Sequence, residues 1–326
     1  MRPKKQEEHQ SRIFQSRLEQ MIDMEHPLVR LSTRIHWPVL EKRLGEVYIP
    51  DKGRPALPTR LMAGLHYLKG MFKLSDEGVV EGFLENPYWQ YFCGMEFFEH
   101  RLPLDSSSMT RWRKRVGSKG FEELLSETLR LAEESGELKE SDYQRVNVDT
   151  TVQEKNITYP TDAKLLCKGV ELLARHCRRS GIKLRQTYAR LAPKALRESA
   201  RYAHAQKHKK AQAQVKKLRT FLGRVLRDVE RKTTEISGDF KKVFEMASRI
   251  HRQKREDRDK LYSYFAPEVS CIAKGKTHKK YEFGCKASIV STSLGNWVVG
   301  ATAFHGNPFD GHTLAESLCQ VERLSG

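Results

Sequence analysis

No stretch of this chain approaches the ~20 consecutive apolar residues that a membrane-spanning helix requires, so no membrane partner is expected. The opening Met1-Arg-Pro-Lys-Lys-Gln-Glu-Glu-His9 has no apolar segment behind it, so no secretory leader is expected either. The six cysteines, at 93, 167, 177, 271, 285 and 319, form no Cys-x-x-Cys pair. That excludes a zinc ribbon and a dithiol redox motif, and it fits a reducing compartment in which cysteine serves as a small buried hydrophobe. Apolar residues make up only 38% of the 326 and the mean hydropathy is −0.65, so much of the chain is solvated surface.

Acidic residues are also short. Asp and Glu number 41 against 59 Lys and Arg, a formal charge of +18. Residues 161–260 hold 29 basic and 11 acidic residues, while the rest of the chain holds 30 of each, so one segment carries the whole excess. Such a segment points to a polyanionic partner.

Residues 1–140 read as helical. Pro58-Thr59 opens a run with Leu61, Leu65, Leu68 and Phe72 at helical spacing. Ser75 before Asp76 and Glu77, and Asn86 before Pro87, are helix starts. Asp105 or Ser106 caps a short helix from Ser107 to Val116 that Gly117 closes, and Phe121, Leu124, Leu125, Leu129 and Ala132 form the next stripe, ending at Gly136. The character then changes. Val146, Val148 and Thr150 alternate with Asn147, Asp149 and Thr151, a period of two that predicts a strand. From 161 to 260 helix returns. Leu165, Leu166, Val170 and Leu173 share a face, and Val215, Leu218, Leu222, Val225 and Val229 make a seam spaced 3, 4, 3, 4. Phe240, Phe244, Ala247 and Ile250 follow, completing a helical hairpin or small bundle whose seam packs internally. Tyr281–Ser293 and Trp297–Phe304 read as strands around the turn Leu294-Gly295-Asn296, and a helix through Leu314, Leu318 and Val321 ends the chain.

The expected fold class is therefore α+β. A helical domain spans 1–140. An α/β domain spans 141–326, with strands at about 143–153 and 268–304, a basic helical insertion at 161–260 and a crossover helix at 311–323. Asp149 is the leading site candidate. A strand carboxylate followed by two Thr and the turn through Asn156-Ile-Thr-Tyr-Pro160 is a seat for a catalytic metal ion.

Asn147-Val-Asp149-Thr-Thr-Val-Gln-Glu-Lys-Asn-Ile-Thr-Tyr-Pro-Thr-Asp162 closely resembles the first catalytic motif of the IS5-type insertion-sequence transposases. Gly306-Asn-Pro-Phe-Asp-Gly-His-Thr-Leu314 resembles the segment after their third strand. Arg54–Leu65, Asn86–Gly94 and Pro103–Arg113 resemble their N-terminal helical domain. The resemblance implies a DDE transposase with an RNase H-like catalytic domain, in which two Asp and one Glu hold two Mg²⁺ or Mn²⁺ ions for phosphodiester cleavage and strand transfer. It implies double-stranded DNA as partner, both element terminal inverted repeats and target, together with self-association or pairing with intact transposase. It also implies a cytoplasmic, nucleoid-associated bacterial setting. Asp149 matches the first acid, whereas the second Asp and the Glu are expected beyond residue 326. The expected product is thus a DNA-binding fragment that is inactive alone. The alternatives are a non-enzymatic repressor of transposition and a decayed transposase product.

Asp310 is the substitute metal ligand to weigh, though its Pro-Phe-Asp-Gly setting suits a turn or cap, and His305 and His312 flank it without diagnostic spacing. Asp162 is a candidate cap for the first insertion helix. For DNA, Arg111, Arg113, Lys114 and Arg115 surround Trp112 on a short helix. Lys207, Lys209, Lys210, Lys216, Lys217 and Arg219 are the candidate phosphate contacts of the insertion.

Overall fold

The structure, a computed structural model, describes residues 16–48, 56–101, 104–233, 236–254, 256–257, 259–273 and 280–325. Arg54, Pro55 and Pro103 of the resembling stretches, and residues 274–279 of the expected strand region, lie outside the described residues. The chain divides into two compact units. One is Met1–Asn147 with Ser291–Val299 and Cys319–Gly326, and the other is Val148–Val290 with Gly300–Leu318.

The first unit is built on α1 (Leu18–Met21), α2 (Pro27–Arg34), α3 (Trp37–Gly45), α4 (Thr59–Met71), α5 (Asp76–Glu85), α6 (Pro87–Phe92) and α7 (Ser107–Glu134). Its caps follow the sequence. Ser75 Oγ accepts from the Gly78 N–H, and Asn86 Oδ1 accepts from the N–H groups of Tyr88 and Trp89. Ser106 is the boundary residue of α7, but the Asp105 carboxylate accepts the Ser107 N–H. Gly117 takes φ 62° and ψ −165°, a conformation that only glycine adopts cheaply, so the chain kinks there before helix resumes. Leu61, Leu65, Leu68, Phe83, Phe92 and Met109 are fully buried in one core. Phe72 departs from its expected face. It lies past the last turn of α4, 47% exposed, with its ring 5.0 Å from that of Trp89.

The helical part of the second unit comprises α8 (Asp162–Arg179), α9 (Leu191–His204), α10 (His208–Lys232) and α11 (Gly238–Arg252). Leu218, Leu222, Val225 and Val229 of the seam are buried against Leu166, Val170 and Leu173, so the seam is internal packing. Asp162 is not the cap of α8. Thr161 Oγ1 accepts the Lys164 N–H, because Thr161 is the residue with extended backbone ahead of the first turn.

Four strands form a sheet: β1 (Val146–Glu154), β2 (Ser270–Ala273), β3 (Tyr281–Thr292) and β4 (Val298–Phe304). Residues 140–144, ahead of β1, form a 3₁₀ turn, so the first strand starts later than the expected 143. β3 is central. It pairs with β1, with β4 and, antiparallel, with β2. The Lys155 N–H donates to Phe283 O at one end of the β1–β3 ladder and the Ser293 N–H to Arg145 O at the other, so the two strands are antiparallel and Asp149 stands opposite Ile289. Gly295 and Asn296 both have positive φ, +77° and +53°, which suits the tight β3–β4 hairpin. α12 (Asp310–Ser325) follows. The fold is α+β, as expected.

Candidate functional site

Asp149 lies mid-strand. Val148 and Thr150 are half-buried and Asn147 and Asp149 exposed, so the alternation read from sequence is real and the Asp149 side chain is on the open face. No hydrogen bond or ion pair reaches its carboxylate among the described residues. A free, solvent-facing carboxylate on the edge strand can accept a cation or a donor from another molecule without first breaking a bond.

Asp310 cannot join it directly. Thr150 Oγ1 donates to Asp310 Oδ1 at 2.8 Å, and adjacent strand residues point to opposite faces, so Asp310 lies across the sheet from the Asp149 side chain. Its carboxylate is also 2.5 Å from Lys286 Nζ, which donates further to Pro308 O at 2.6 Å. Lys286 is the functional surprise of the sheet. Its side chain is 9% exposed, and a cation so buried requires a carboxylate partner. No signal in the sequence marks it, since the large apolar residues Tyr281, Phe283 and Ile289 of this strand alternate onto the face opposite Lys286. Asp310 thus starts α12 and pairs with Lys286. His305 and His312 are exposed, and the His312 ring sits 5.9 Å from that of Phe309. Among the described residues, no group of three or more His, Cys, Asp or Glu side chains is placed to hold a metal ion. Two divalent ions need several hard oxygen donors, and one carboxylate on an open face does not fit that need.

The basic candidates fall into two kinds. Arg113 grips Asp76 with two hydrogen bonds, at 2.8 and 2.6 Å, and Lys69 approaches the same carboxylate at 2.5 Å. The Arg113 guanidinium holds the Asp76 carboxyl well below its ordinary range. Trp112 is 4% exposed and packs on His66, ring centres 4.7 Å apart, so it belongs to the core. Arg111 reaches back to Ser107, and Lys114 and Arg115 are exposed, the Arg115 guanidinium 5.3 Å from the Tyr48 ring centre. In the insertion, Arg219 donates to the carbonyls of His251 and Gln253, at 2.6 and 3.1 Å, and so satisfies the end of α11. Lys207, Lys209, Lys210, Lys216 and Lys217 are exposed. Arg113 and Arg219 therefore act within the fold, and the other eight are open to a partner.

Residues 16–115 match the profile of the family described as "Transposase domain (DUF772)". A curated relative, "Uncharacterized protein ORF8 in nfe locus" of Rhizobium meliloti, is 49% identical over 205 residues, which cover 63% of this chain and 99% of that protein. No solved structure matches the chain. No helix among the described residues is long and apolar enough to cross a membrane.

Proposed function

The chain belongs to a transposase family, and from that membership we propose that it acts in DNA transposition as an IS5-type DDE protein. It binds element ends through exposed basic residues, and Asp149 is the first acid of its catalytic set. The observation that carries this reading is the setting of Asp149. Among the described residues it stands unpartnered on β1, the flank of a β1–β3–β4 antiparallel arrangement that α12 follows, as the opening of an RNase H-like domain requires. Divalent metal, when bound by a full set of acids, would neutralise charge on the phosphodiester oxygens. The donors among the described residues do not make that set, so no catalytic step is assigned to them.

The test is a binding and cleavage assay with labelled duplexes carrying element ends, in Mg²⁺ and in Mn²⁺. The expected result is salt-dependent binding, no nicking and unchanged affinity for Asp149→Ala. Nicking that Asp149→Ala abolishes would overturn the inactivity, and absence of any DNA binding would overturn the assignment.

A further inference from the structure

α10 carries nine basic residues and two acids along 25 residues. Lys210, Lys217, Arg224 and Arg231 recur every seven positions, so they drift by only ~20° per step and form one exposed ridge ~32 Å long. Beside the C-terminal half of that ridge is a cleft of about 530 Å³ lined by Arg185, Arg224, Arg227 and Arg231 with Tyr188 and Asp228.

The cleft is constructed. Asp228, whose side chain is 10% exposed, accepts the Arg185 N–H at 2.7 Å and the Lys232 ammonium at 3.1 Å. Lys232 also donates to Lys183 O at 2.5 Å, and these bonds clamp the 183–188 loop onto α10. Tyr188 takes φ +53°, a left-handed conformation unusual for a bulky residue, and it is held there by stacking on Phe221 with ring centres 4.5 Å apart. That placement lets Arg224 donate to the Tyr188 hydroxyl at 3.1 Å, which aims its fork into the cleft. Arg231 is braced by the Arg227 carbonyl at 3.1 Å, and its nearest carboxylate oxygen, on Asp228, is 3.8 Å away. The side chains of Arg185 and Arg227 have no carboxylate partner among the described residues. Asp228, the one carboxylate of the lining, is already bonded to Lys232 and the Arg185 N–H, so four guanidiniums leave the cleft with an excess of positive charge, and the planar fork of arginine matches a phosphate.

We propose that this cleft is a phosphate-binding site for the backbone of duplex DNA, with the α10 ridge lying along the same duplex. The ridge selects the ligand: ~32 Å is close to one turn of B-form helix, and a regular line of cations fits a regular line of phosphates. The inference rests on the reading of the chain as a DNA-binding transposase, and it names where in the helical unit the contact is made. The contact positions the protein and reads no base sequence.

The experiment uses the full chain and a 30-base-pair duplex, with affinity measured by fluorescence anisotropy over a salt series and folding checked by thermal melts. Arg224→Gln with Arg227→Gln is expected to weaken binding about tenfold and to lower the salt slope by about 1.8, at ~0.9 for each phosphate released. Arg227→Gln alone makes the same test without touching the Tyr188 contact and lowers the slope by about 0.9. Lys241→Gln with Lys242→Gln removes the same charge from exposed sites of α11 and is expected to change little. Equal losses in the two double variants mean that binding is diffuse and overturn the site. Wild-type affinity in the Arg224/Arg227 variant, with the wild type binding DNA, overturns the site and leaves the transposase reading standing. Failure of the wild type to bind duplex, or tighter arginine-dependent binding to single-stranded RNA or polyglutamate, overturns duplex DNA as the ligand.

Discussion

Asp310 holds the ammonium of Lys286, which is nearly enclosed, whereas Asp149 holds nothing among the described residues. Asp310→Ala should therefore strand a buried cation. Because the Asp310 side chain is 65% exposed and water reaches the gap, the cost is about 1–2 kcal/mol, read as a lower urea midpoint. Asp149→Ala removes no intramolecular bond and should change stability by under about 0.5 kcal/mol. A melt that ranks them the other way would reverse the two roles. Acid sensitivity has a separate origin in His66. Burial pushes its pKa down to about 4, although Nδ1 bonds Met62 O at 2.8 Å. As pH falls below about 6.5 the unfolded chain takes up a proton that folded His66 refuses until about pH 4. Stability therefore declines through that window, by at most ~1.36 kcal/mol for each pH unit crossed, and levels off beneath it. Asp76, held low by Arg113, adds its own loss only as pH drops below its ordinary value of 3.8. His66→Phe, which keeps an aromatic ring against Trp112, should flatten the pH 6.5 to 4 slope in urea titrations and leave the more acidic loss in place.

The helices were legible because their ends are chemical. Ser75, Asn86 and Gly117 each satisfy or break the backbone in a way that no tertiary contact has to confirm. The seam of α10 was equally plain, and Leu222, wholly buried there, should cost about 2–5 kcal/mol when changed to Ala, measured by chemical unfolding. The sheet and α12 were harder to read because their packed faces are polar. On β3 the buried positions are Glu282, Gly284, Lys286, Ser288, Val290 and Thr292, while Tyr281 and Ile289 are 42% and 40% exposed. α12 buries Thr313, Ser317, Gln320 and Val321 and leaves Leu314 44% exposed. Thr313 and Ser317 hide their hydroxyls on the carbonyls of Asp310 and Thr313, so residues that look like surface in the sequence are inside. For the site, the motif around Asp149 singled out a residue that the geometry alone would leave as a strand acid. The Lys286–Asp310 pair needed coordinates, since 24 residues separate its members. Gly284 was also silent in the sequence. A Cβ there would come within 2.1 Å of Gln153 O, so Gly284→Ala should pry β1 from β3, which hydrogen exchange would detect as lost protection in 146–154 with the α10 amides unaffected.

Charge is the property of the molecule as a whole, yet its +18 is not one pool. Arg113 is consumed by Asp76 and Arg219 by the carbonyls that end α11, whereas Lys209 and Lys210 are exposed on the first turn of α10. Removing a cation of the first kind takes donors away from a packed acceptor and releases no counterion from DNA. Removing one of the second kind does the reverse, because a solvated lysine contributes little to folding but displaces a condensed counterion when it meets a phosphate. Arg113→Gln should thus lower the melting temperature and leave the slope of log affinity against log salt unchanged. Lys209→Gln with Lys210→Gln should leave the melt unchanged and lower that slope by up to about 1.8, at ~0.9 for each phosphate lost. Parallel melts and salt titrations on the two variants separate the charges that hold the fold from those open to a polyanionic partner. A slope left at its wild-type value by the lysine pair would mean that the N-terminal turn of α10 makes no phosphate contact.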